Sequence, residues 1–339
     1  MPSPRCAVYV SNAESGDIHV LHLDPASGAL TTVQRVEIGG TVMPLALSPD
    51  RRVLYAARRS EPHAALSFAL DANSGALSRL GEAPLPHSMA NIATDRSGRW
   101  LLSASYGGHL VAVSAIGADG AAHAATQVLP TGPNAHAICT DPSNRFAFAS
   151  NLGAGVVLQL CFDAAAGRLT PNTPPSIAVR AGAGPRHLAW HPDGHVLYLL
   201  NELDASIDVF AFSTGLGTLA HRQTIASLPS GFSGTPWAAD LHLTPDGRFL
   251  YSSDRRSNLL SAFAVEPVSG RLSLIGHTPT PAEPRGFNIT GDGHWLIVAG
   301  QASHHVHVYR IEPQSGALEP LGEHAVGRGP NWIETVQLA

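Results

Sequence analysis

The sequence contains no lysine: all 21 of its basic residues are arginine. Catalysis through a lysine Schiff base and phosphate binding by a P-loop both require a lysine, so both are excluded. Charged residues make up only 14% of the 339 residues, the net charge is −5 with histidine neutral, and like charges form no block. A nucleic-acid partner selects a basic surface, so the sequence predicts none.

Cysteines and long apolar runs are also scarce. Cys6, Cys139 and Cys161 are odd in number and fit no metal-ligand spacing, which predicts reduced, buried thiols. No apolar stretch approaches the ~20 residues of a membrane span. The chain starts directly with a strand-like run, without the basic and apolar regions of a signal peptide. These features predict a cytoplasmic protein that does not associate with membranes.

Turn residues are abundant, and they mark a repeat. The chain has 33 glycines, 26 prolines and 44% apolar residues, a composition that favours β structure. A run of alternating polarity that ends in a glycine turn occurs seven times, from IHVLHLDPASGAL (18–30) to VHVYRIEPQSGAL (306–318). The turn glycines are Gly28, Gly75, Gly120, Gly167, Gly217, Gly270 and Gly316. Neighbours lie 45 to 53 residues apart, which is typical of propeller blades.

A second repeated element is a tight turn followed by a buried strand, as in HPDGHVLYLLN (191–201). It occurs six times, and the seventh strand, CAVYVSN (6–12), lacks the turn because the chain starts there. The short run that precedes each turn has its seventh copy at the other terminus, in GPNWIETV (329–336). The sequence therefore predicts an all-β fold, a single seven-bladed β-propeller over residues 1–339. Its blades are four-stranded and antiparallel, and N- and C-terminal strands close the ring. A closed ring needs no partner, so we expect a monomer.

Ionisable residues are expected to converge at one mouth of the central channel. The first two strands of a blade run antiparallel through a tight turn, so the first begins where the second ends. The middles of these strands are almost wholly apolar, whereas the ends at this mouth are polar. The candidate catalytic residues are His136, Glu202, Arg186 and Arg285. The candidate substrate-binding residues are His187, Asn12, Tyr106, Asp240, Arg255, Gln301 and His305.

These side chains suit the hydrolysis of an activated ester that carries an anionic group. His136 or Glu202 can take a proton from attacking water, and Arg186 and Arg285 can hold an anion and stabilise an oxyanion. Each also has a structural interpretation: the histidine as a hydrogen-bonded ring, Glu202 as the ion-pair partner of Arg186, and Asp240 as a cap on backbone amides. Their convergence favours an active site.

A run of histidines, His304, His305 and His307, raises the question of a metal. His305 and His307 share one face of a strand, but two imidazoles without a third ligand indicate zinc only weakly. The sequence also lacks a glycine-rich phosphate loop, a Gly-x-Ser-x-Gly elbow and a Cys-x-x-Cys pair. We therefore expect neither a metal nor a cofactor.

Four segments resemble the propeller-type 6-phosphogluconolactonases of bacteria, in a lactonase family that includes the fungal carboxymuconate-lactonizing enzymes. The segments are GPRHLAWHPDGHVLYLLNELDASIDVF (184–210), WAADLHLTPDGRFLY (237–251), EPRGFNITGDGHWLIVAGQASHHVHVY (283–309) and VGRGPNW (326–332). The resemblance runs nearly end to end. It implies a cytoplasmic, metal-independent hydrolase of 6-phospho-D-glucono-1,5-lactone in the pentose phosphate pathway, with an active site around His136, Arg186, Glu202 and Arg285.

Two departures from that family bear on the substrate. Pro236 stands where the enterobacterial type has arginine, and LGAGVV (152–157) has no basic residue where that type has one. Fewer cations at the mouth weaken the case for a phosphorylated substrate. Galactaro- or glucaro-1,5-lactone, from uronate catabolism, is therefore an alternative substrate. A muconate-type cycloisomerase and a non-catalytic binding platform are further alternatives. The small, polar repeat-end turns, such as DPASG (24–28), disfavour the platform.

Overall fold

Short apolar runs between glycine and Pro-Asp-Gly turns form the strands of seven sheets in residues 5–339, the part of the chain that the computed structural model describes. Each sheet has four antiparallel strands. The first blade consists of β1 (Cys6–Asn12), β2 (Asp17–Leu23), β3 (Leu30–Glu37) and β28 (Pro330–Gln337). The second consists of β4 (Val42–Leu47), β5 (Val53–Arg58), β6 (Ala64–Leu70) and β7 (Leu77–Pro84). The third consists of β8 (Asn91–Thr94), β9 (Trp100–Ser105), β10 (Leu110–Ile116) and β11 (Ala122–Pro130).

The remaining four blades follow the same pattern along the chain. The fourth consists of β12 (Ala135–Thr140), β13 (Phe146–Asn151), β14 (Val156–Asp163) and β15 (Arg168–Ala178). The fifth consists of β16 (Pro185–Trp190), β17 (Val196–Asn201), β18 (Ser206–Ser213) and β19 (Thr218–Ala226). The sixth consists of β20 (Ala238–Leu243), β21 (Phe249–Asp254), β22 (Leu259–Val265) and β23 (Leu272–Pro279). The seventh consists of β24 (Pro284–Ile289), β25 (Trp295–Gly300), β26 (His305–Ile311) and β27 (Leu318–Ala325).

The ring closes through a blade that both ends of the chain build. β28 pairs with β1 in antiparallel register, from Cys6 opposite Gln337 to Asn12 opposite Pro330. The innermost strands β4, β8, β12, β16, β20, β24 and β28 contact one another in that order, and β28 contacts β4. The predicted seven-bladed propeller with a closure by terminal strands is therefore confirmed. Within the described range, no helix has the length and hydrophobicity to cross a membrane.

Each blade is locked to a neighbour through the repeated glycine turn. All seven turn glycines have a positive φ, from +64° to +82°, a conformation that disfavours residues with a Cβ. Gly75 packs against β1 of the adjacent blade, where an added Cβ would lie 2.6 Å from that of Ala7. The Tyr9 hydroxyl donates a 2.8 Å hydrogen bond to the Gly75 carbonyl. Glycine thus allows both the turn and the close approach between blades.

The apolar core lies between neighbouring sheets. Val8 and Val10 of β1, for example, share a buried cluster with Ile297 of β25. The cysteines are free thiols, but the prediction that all are buried is correct only for Cys6 and wrong for Cys139 and Cys161, which are half-buried. Cys139 is accessible because it lines a wide cavity in the channel.

Candidate active site in the channel mouth

The inner strands carry β-bulges at the mouth that contains the predicted site. The register of β12 shifts between Ala135 and Ala137, and that of β16 shifts between Pro185 and His187. The residues at these two irregularities are His136 and Arg186. β24 shifts in the same way between Pro284 and Phe287, around Arg285. A β-bulge changes the direction in which a side chain points. Such a bulge occurs at three of the four predicted catalytic positions.

Glu202, which directly follows β17, is the carboxylate at the centre of the site. Its Oε2 accepts a 2.7 Å hydrogen bond from Nε of Arg186 and lies 3.2 Å from Nη2 of Arg255. Nε2 of His136 lies 4.0 Å from the same oxygen. Burial alone would raise the pKa of Glu202, but Arg186 and Arg255 hold it below its usual value. Glu202 is therefore ionised and clamps two guanidinium groups.

Arg255 is held on the face of an indole. Its guanidinium carbon lies 3.8 Å from the centre of the Trp237 ring, a cation–π contact. Its Nε donates to the Trp237 carbonyl at 3.1 Å and its Nη2 to that of Ala238 at 3.0 Å. Burial lowers the pKa of Arg255 to about 9, and the nearby Arg186 acts in the same direction.

Two more arginines complete a cationic pocket. Arg285 donates from Nη1 to Oε1 of Gln301 at 3.2 Å, and Arg59 donates from Nε to the Ser88 hydroxyl at 2.9 Å. Burial lowers the pKa of Arg285 well below its usual value, and the other guanidinium groups reinforce the shift. Burial and Arg186 also lower the pKa of Arg59. Arg186, Arg255 and Arg285 thus surround Glu202, with Arg59 near Arg186, an arrangement that attracts an anion.

Two imidazoles lie beside the arginines. The His136 and His187 rings are 5.2 Å apart between centroids. Burial and Arg186 lower the pKa of His187 to about 4 and that of His136 well below its usual value, so both are neutral near pH 7. Nδ1 of His187 lies 2.7 Å from Oδ1 of Asp240. Burial alone would raise the pKa of Asp240, but His242 and His187 hold it far below its usual range.

Of the remaining residues predicted to bind substrate, only some lie at the mouth of the channel. Tyr106 is at the mouth, with its ring 5.9 Å from that of His136, and Gln301 is there through its bond to Arg285. Asn12 is fully buried and donates to Oδ1 of Asp17 at 2.8 Å, inside its own blade. His305 begins β26, the third strand of its blade, with Nδ1 2.6 Å from the Ser303 carbonyl. The cluster therefore includes Tyr106 and Gln301 but neither Asn12 nor His305.

The three histidines considered for a metal have separate partners. Nε2 of His307 lies 2.8 Å from a Glu323 carboxylate oxygen, and Nδ1 of His304 accepts from the Gly329 amide at 3.1 Å. Across residues 5–339, no group of three His, Cys, Asp or Glu side chains is placed to hold a metal ion.

Trp332 of β28 separates two cavities in the channel. On the side of the arginines, a cavity of about 10 Å³ is lined by Trp332, Arg186, His187, Asp240 and Arg285, among others. On the other side, a cavity of about 560 Å³ is lined by Trp332, His242 and Glu334, among others. Sequence reasoning missed Trp332 and His242. Trp332 precedes the apolar residue of the seventh inner run, as His187 does in its own run, and this shared position could have revealed it.

The fold and this mouth together define a seven-bladed β-propeller with a cationic, histidine-containing pocket in its channel. The chain belongs to the lactonase family of that description (Lactonase, 7-bladed beta-propeller), whose family model matches residues 7–335. This result confirms the resemblance noted in the sequence. The chain is 44% identical over 331 residues, 98% of each chain, to the 6-phosphogluconolactonase of Pectobacterium carotovorum subsp. carotovorum (strain PC1). It is also 44% identical over 327 residues, 96% of this chain and 97% of the relative, to that of Yersinia pestis (strain Pestoides F).

A solved structure supports the same family assignment. The periplasmic gluconolactonase PpgL of Pseudomonas aeruginosa superposes with a TM-score of 0.92 at 30% identity. The match covers 99% of this chain and all of that one. The family, and not only the fold, is therefore shared along the whole propeller.

Proposed function

We propose that the chain is a lactone hydrolase that opens 6-phospho-D-glucono-1,5-lactone to 6-phosphogluconate in the pentose phosphate pathway. The observation that carries this proposal is the cluster of Arg186, Arg255 and Arg285 around Glu202, with Arg59 near Arg186, next to the neutral imidazoles of His136 and His187. The arginines suit the anionic group of the substrate, and the imidazoles suit proton transfer. The curated relatives with 44% identity carry the name of this activity.

The proposed reaction is direct attack of water on the lactone carbonyl. An imidazole takes a proton from water while the water oxygen bonds the carbonyl carbon, and the carbonyl oxygen becomes an oxyanion. Arg186 is suited to stabilise it, because its buried Nη1 has no hydrogen-bond partner within residues 5–339. The bond to the ring oxygen then breaks, the ring oxygen takes the proton, and the new carboxylic acid ionises in water.

Glu202, one of the two candidate bases from the sequence, has a different role in this scheme. Its Oε2 is engaged by Arg186 and Arg255, which leaves this oxygen poorly placed to accept a proton from water. It holds the two guanidinium groups in place instead. Arg285 and Arg59 are then available for the anionic group of the substrate.

The second candidate substrate is an aldaric 1,5-lactone, whose carboxylate would take the place of the phosphate. Pro236, where the enterobacterial type has arginine, favours this alternative because it removes a cation next to Trp237. A monomeric state and a cytoplasmic location remain predictions. The related PpgL structure is that of a periplasmic protein, so location requires its own measurement by cell fractionation.

The test is lactone hydrolysis above the spontaneous rate, with freshly generated 6-phosphoglucono-δ-lactone beside glucaro-δ-lactone, with and without EDTA. Fast turnover of the phosphorylated lactone that EDTA does not change is the expected result. Turnover of the aldaric lactone alone would instead assign the enzyme to uronate catabolism. Turnover of neither would contradict lactone hydrolysis and leave a cycloisomerase or a binding platform to be tested.

A further inference from the structure

The two imidazoles at the mouth differ in whether a neighbour orients the ring. Nδ1 of His136 has no hydrogen-bond partner in the described part of the chain, and its Nε2 is 4.0 Å from Glu202, too far for a hydrogen bond. The ring of His187, in contrast, is held in one orientation because its Nδ1 lies 2.7 Å from Oδ1 of Asp240. A general base needs a fixed direction as well as a suitable charge state.

Asp240 is itself fixed from several sides. Its Oδ1 accepts from the Leu241 amide at 3.0 Å, and its Oδ2 accepts from the Phe287 amide at 3.3 Å. Nε2 of His242 lies 3.2 Å from Oδ2, and only 8% of the Asp240 side chain is exposed. An ionised carboxylate can only accept, so Nδ1 of His187 carries the proton. The lone pair of His187 is therefore on Nε2.

Nε2 of His187 is buried and has no hydrogen-bond partner within residues 5–339. Buried polar atoms are almost always satisfied, so an unpaired one needs an explanation. His187 lines the cavity of about 10 Å³ with Arg186 and Arg285, close to the room that one water molecule needs. A lone pair, a space for water and two guanidinium groups thus occur together.

We propose that His187 is the general base of the reaction and that Asp240 is its positioning residue. This assignment rests on the proposed lactone hydrolysis and names the base within it. Nε2 of His187 takes a proton as the water oxygen bonds the lactone carbonyl carbon, which creates the oxyanion. When the bond between the carbonyl carbon and the ring oxygen breaks, the ring oxygen takes that proton from Nε2. His187 returns to its neutral form, and the free hydroxy acid is released.

The test compares two matched variants, His187→Gln and His136→Gln, on the lactone that the wild type hydrolyses. We expect kcat of His187→Gln to fall by about 10²–10⁴-fold, the usual contribution of a positioned base, with KM little changed. The loss of kcat in His136→Gln should be clearly smaller. Added imidazole should restore part of the activity of His187→Ala, which a purely structural histidine would not allow. Circular dichroism checks that each variant is folded.

Asp240 is tested through the tautomer of His187. In the wild type, ¹⁵N chemical shifts should report Nδ1 protonated and Nε2 unprotonated. Asp240→Asn should shift the population towards the opposite tautomer, lower kcat in the same direction as His187→Gln, and leave KM little changed. The conservative Asp240→Glu keeps a carboxylate and should therefore retain more of kcat than Asp240→Asn.

Three outcomes would overturn the assignment. A folded His187→Gln variant with wild-type kcat would remove His187 as the base while the lactonase proposal stands. A wild-type tautomer with the proton on Nε2 would do the same. A wild type that hydrolyses no lactone would overturn the proposed function first and this assignment with it, so the two failures are distinguishable.

Discussion

Nε of Arg186 donates a 2.7 Å hydrogen bond to Oε2 of Glu202 at the mouth of the channel. The same oxygen lies 3.2 Å from Arg255, and Arg285 also lowers the pKa of Glu202. One carboxylate therefore keeps several guanidinium groups together that would otherwise repel one another. The pocket remains cationic as a whole, and this excess charge is what an anionic substrate would meet.

Replacing Glu202 by Gln should make the pocket dependent on an external anion. A hydrogen bond to a charged group contributes about 1.5–3 kcal/mol, so the free energy of unfolding should fall by about that amount. Inorganic phosphate should restore more stability in Glu202→Gln than in the wild type, because it replaces the lost negative charge. Urea unfolding with and without phosphate measures both effects. Equal stability with no response to phosphate would contradict the clamp.

Arg285→Gln should weaken substrate binding more than it slows the chemical step. The variant loses one charge-assisted contact, worth about 1.5–3 kcal/mol or about 10- to 150-fold in affinity. Steady-state kinetics should therefore show a raised KM. The matched control is Arg310→Gln, because Arg310 is exposed and pairs with Glu319 at 3.2 Å on the outer part of its blade. A similar rise of KM in both variants would argue against a specific role for Arg285.

His187 should contribute a loss of stability as the pH drops from about 7 to about 5. Unfolded His187 takes up a proton near its usual pKa of 6.5, whereas the folded residue remains neutral down to a pKa of about 4. The unfolded state therefore binds more protons in this window, so stability is lost as the pH falls. The loss from His187 is about 1–2 kcal/mol. Urea unfolding at both pH values isolates this contribution: the stability of the wild type relative to His187→Gln should be lower at the lower pH, and a difference that does not change with pH would contradict the assignment of this shift.

Two glycine-to-alanine variants separate the cost of the turn from that of blade packing. Gly39 and Gly75 have φ values of +75° and +66°. A Cβ at Gly39 meets nothing within 4 Å, whereas one at Gly75 would lie 2.6 Å from the Ala7 Cβ. Gly39→Ala should cost about 1–2 kcal/mol for the left-handed backbone, and Gly75→Ala should cost about 1–3 kcal/mol more for overpacking. Comparable free energies of unfolding would show that the glycine turns do not lock the blades.

The number of blades and the closure of the ring could be predicted from the sequence because both depend on short segments of the chain. A glycine turn near Gly75 and a strand such as CAVYVSN (6–12) each depend on a few neighbouring residues, and their repetition counts the blades. The absence of a seventh turn at the start, matched by GPNWIETV (329–336) at the end, determines which strands pair. The strand ends likewise place Arg186 and Glu202 near one mouth.

What the repeat could not supply is where the side chains point and which residues meet across blades. His187 of β16 and Asp240 of β20 are 53 residues apart in sequence, yet Nδ1 of His187 lies 2.7 Å from Oδ1 of Asp240. This pairing arises from the packing of two inner strands. The bulges that re-aim His136 and Arg186 are departures from strand periodicity, so a pattern of period two does not reveal them. The sequence by itself therefore determined the propeller and the composition of its mouth. Only the tertiary structure decided that Glu202 also contacts Arg255 and that Asp240 orients His187, because these two contacts join neighbouring blades.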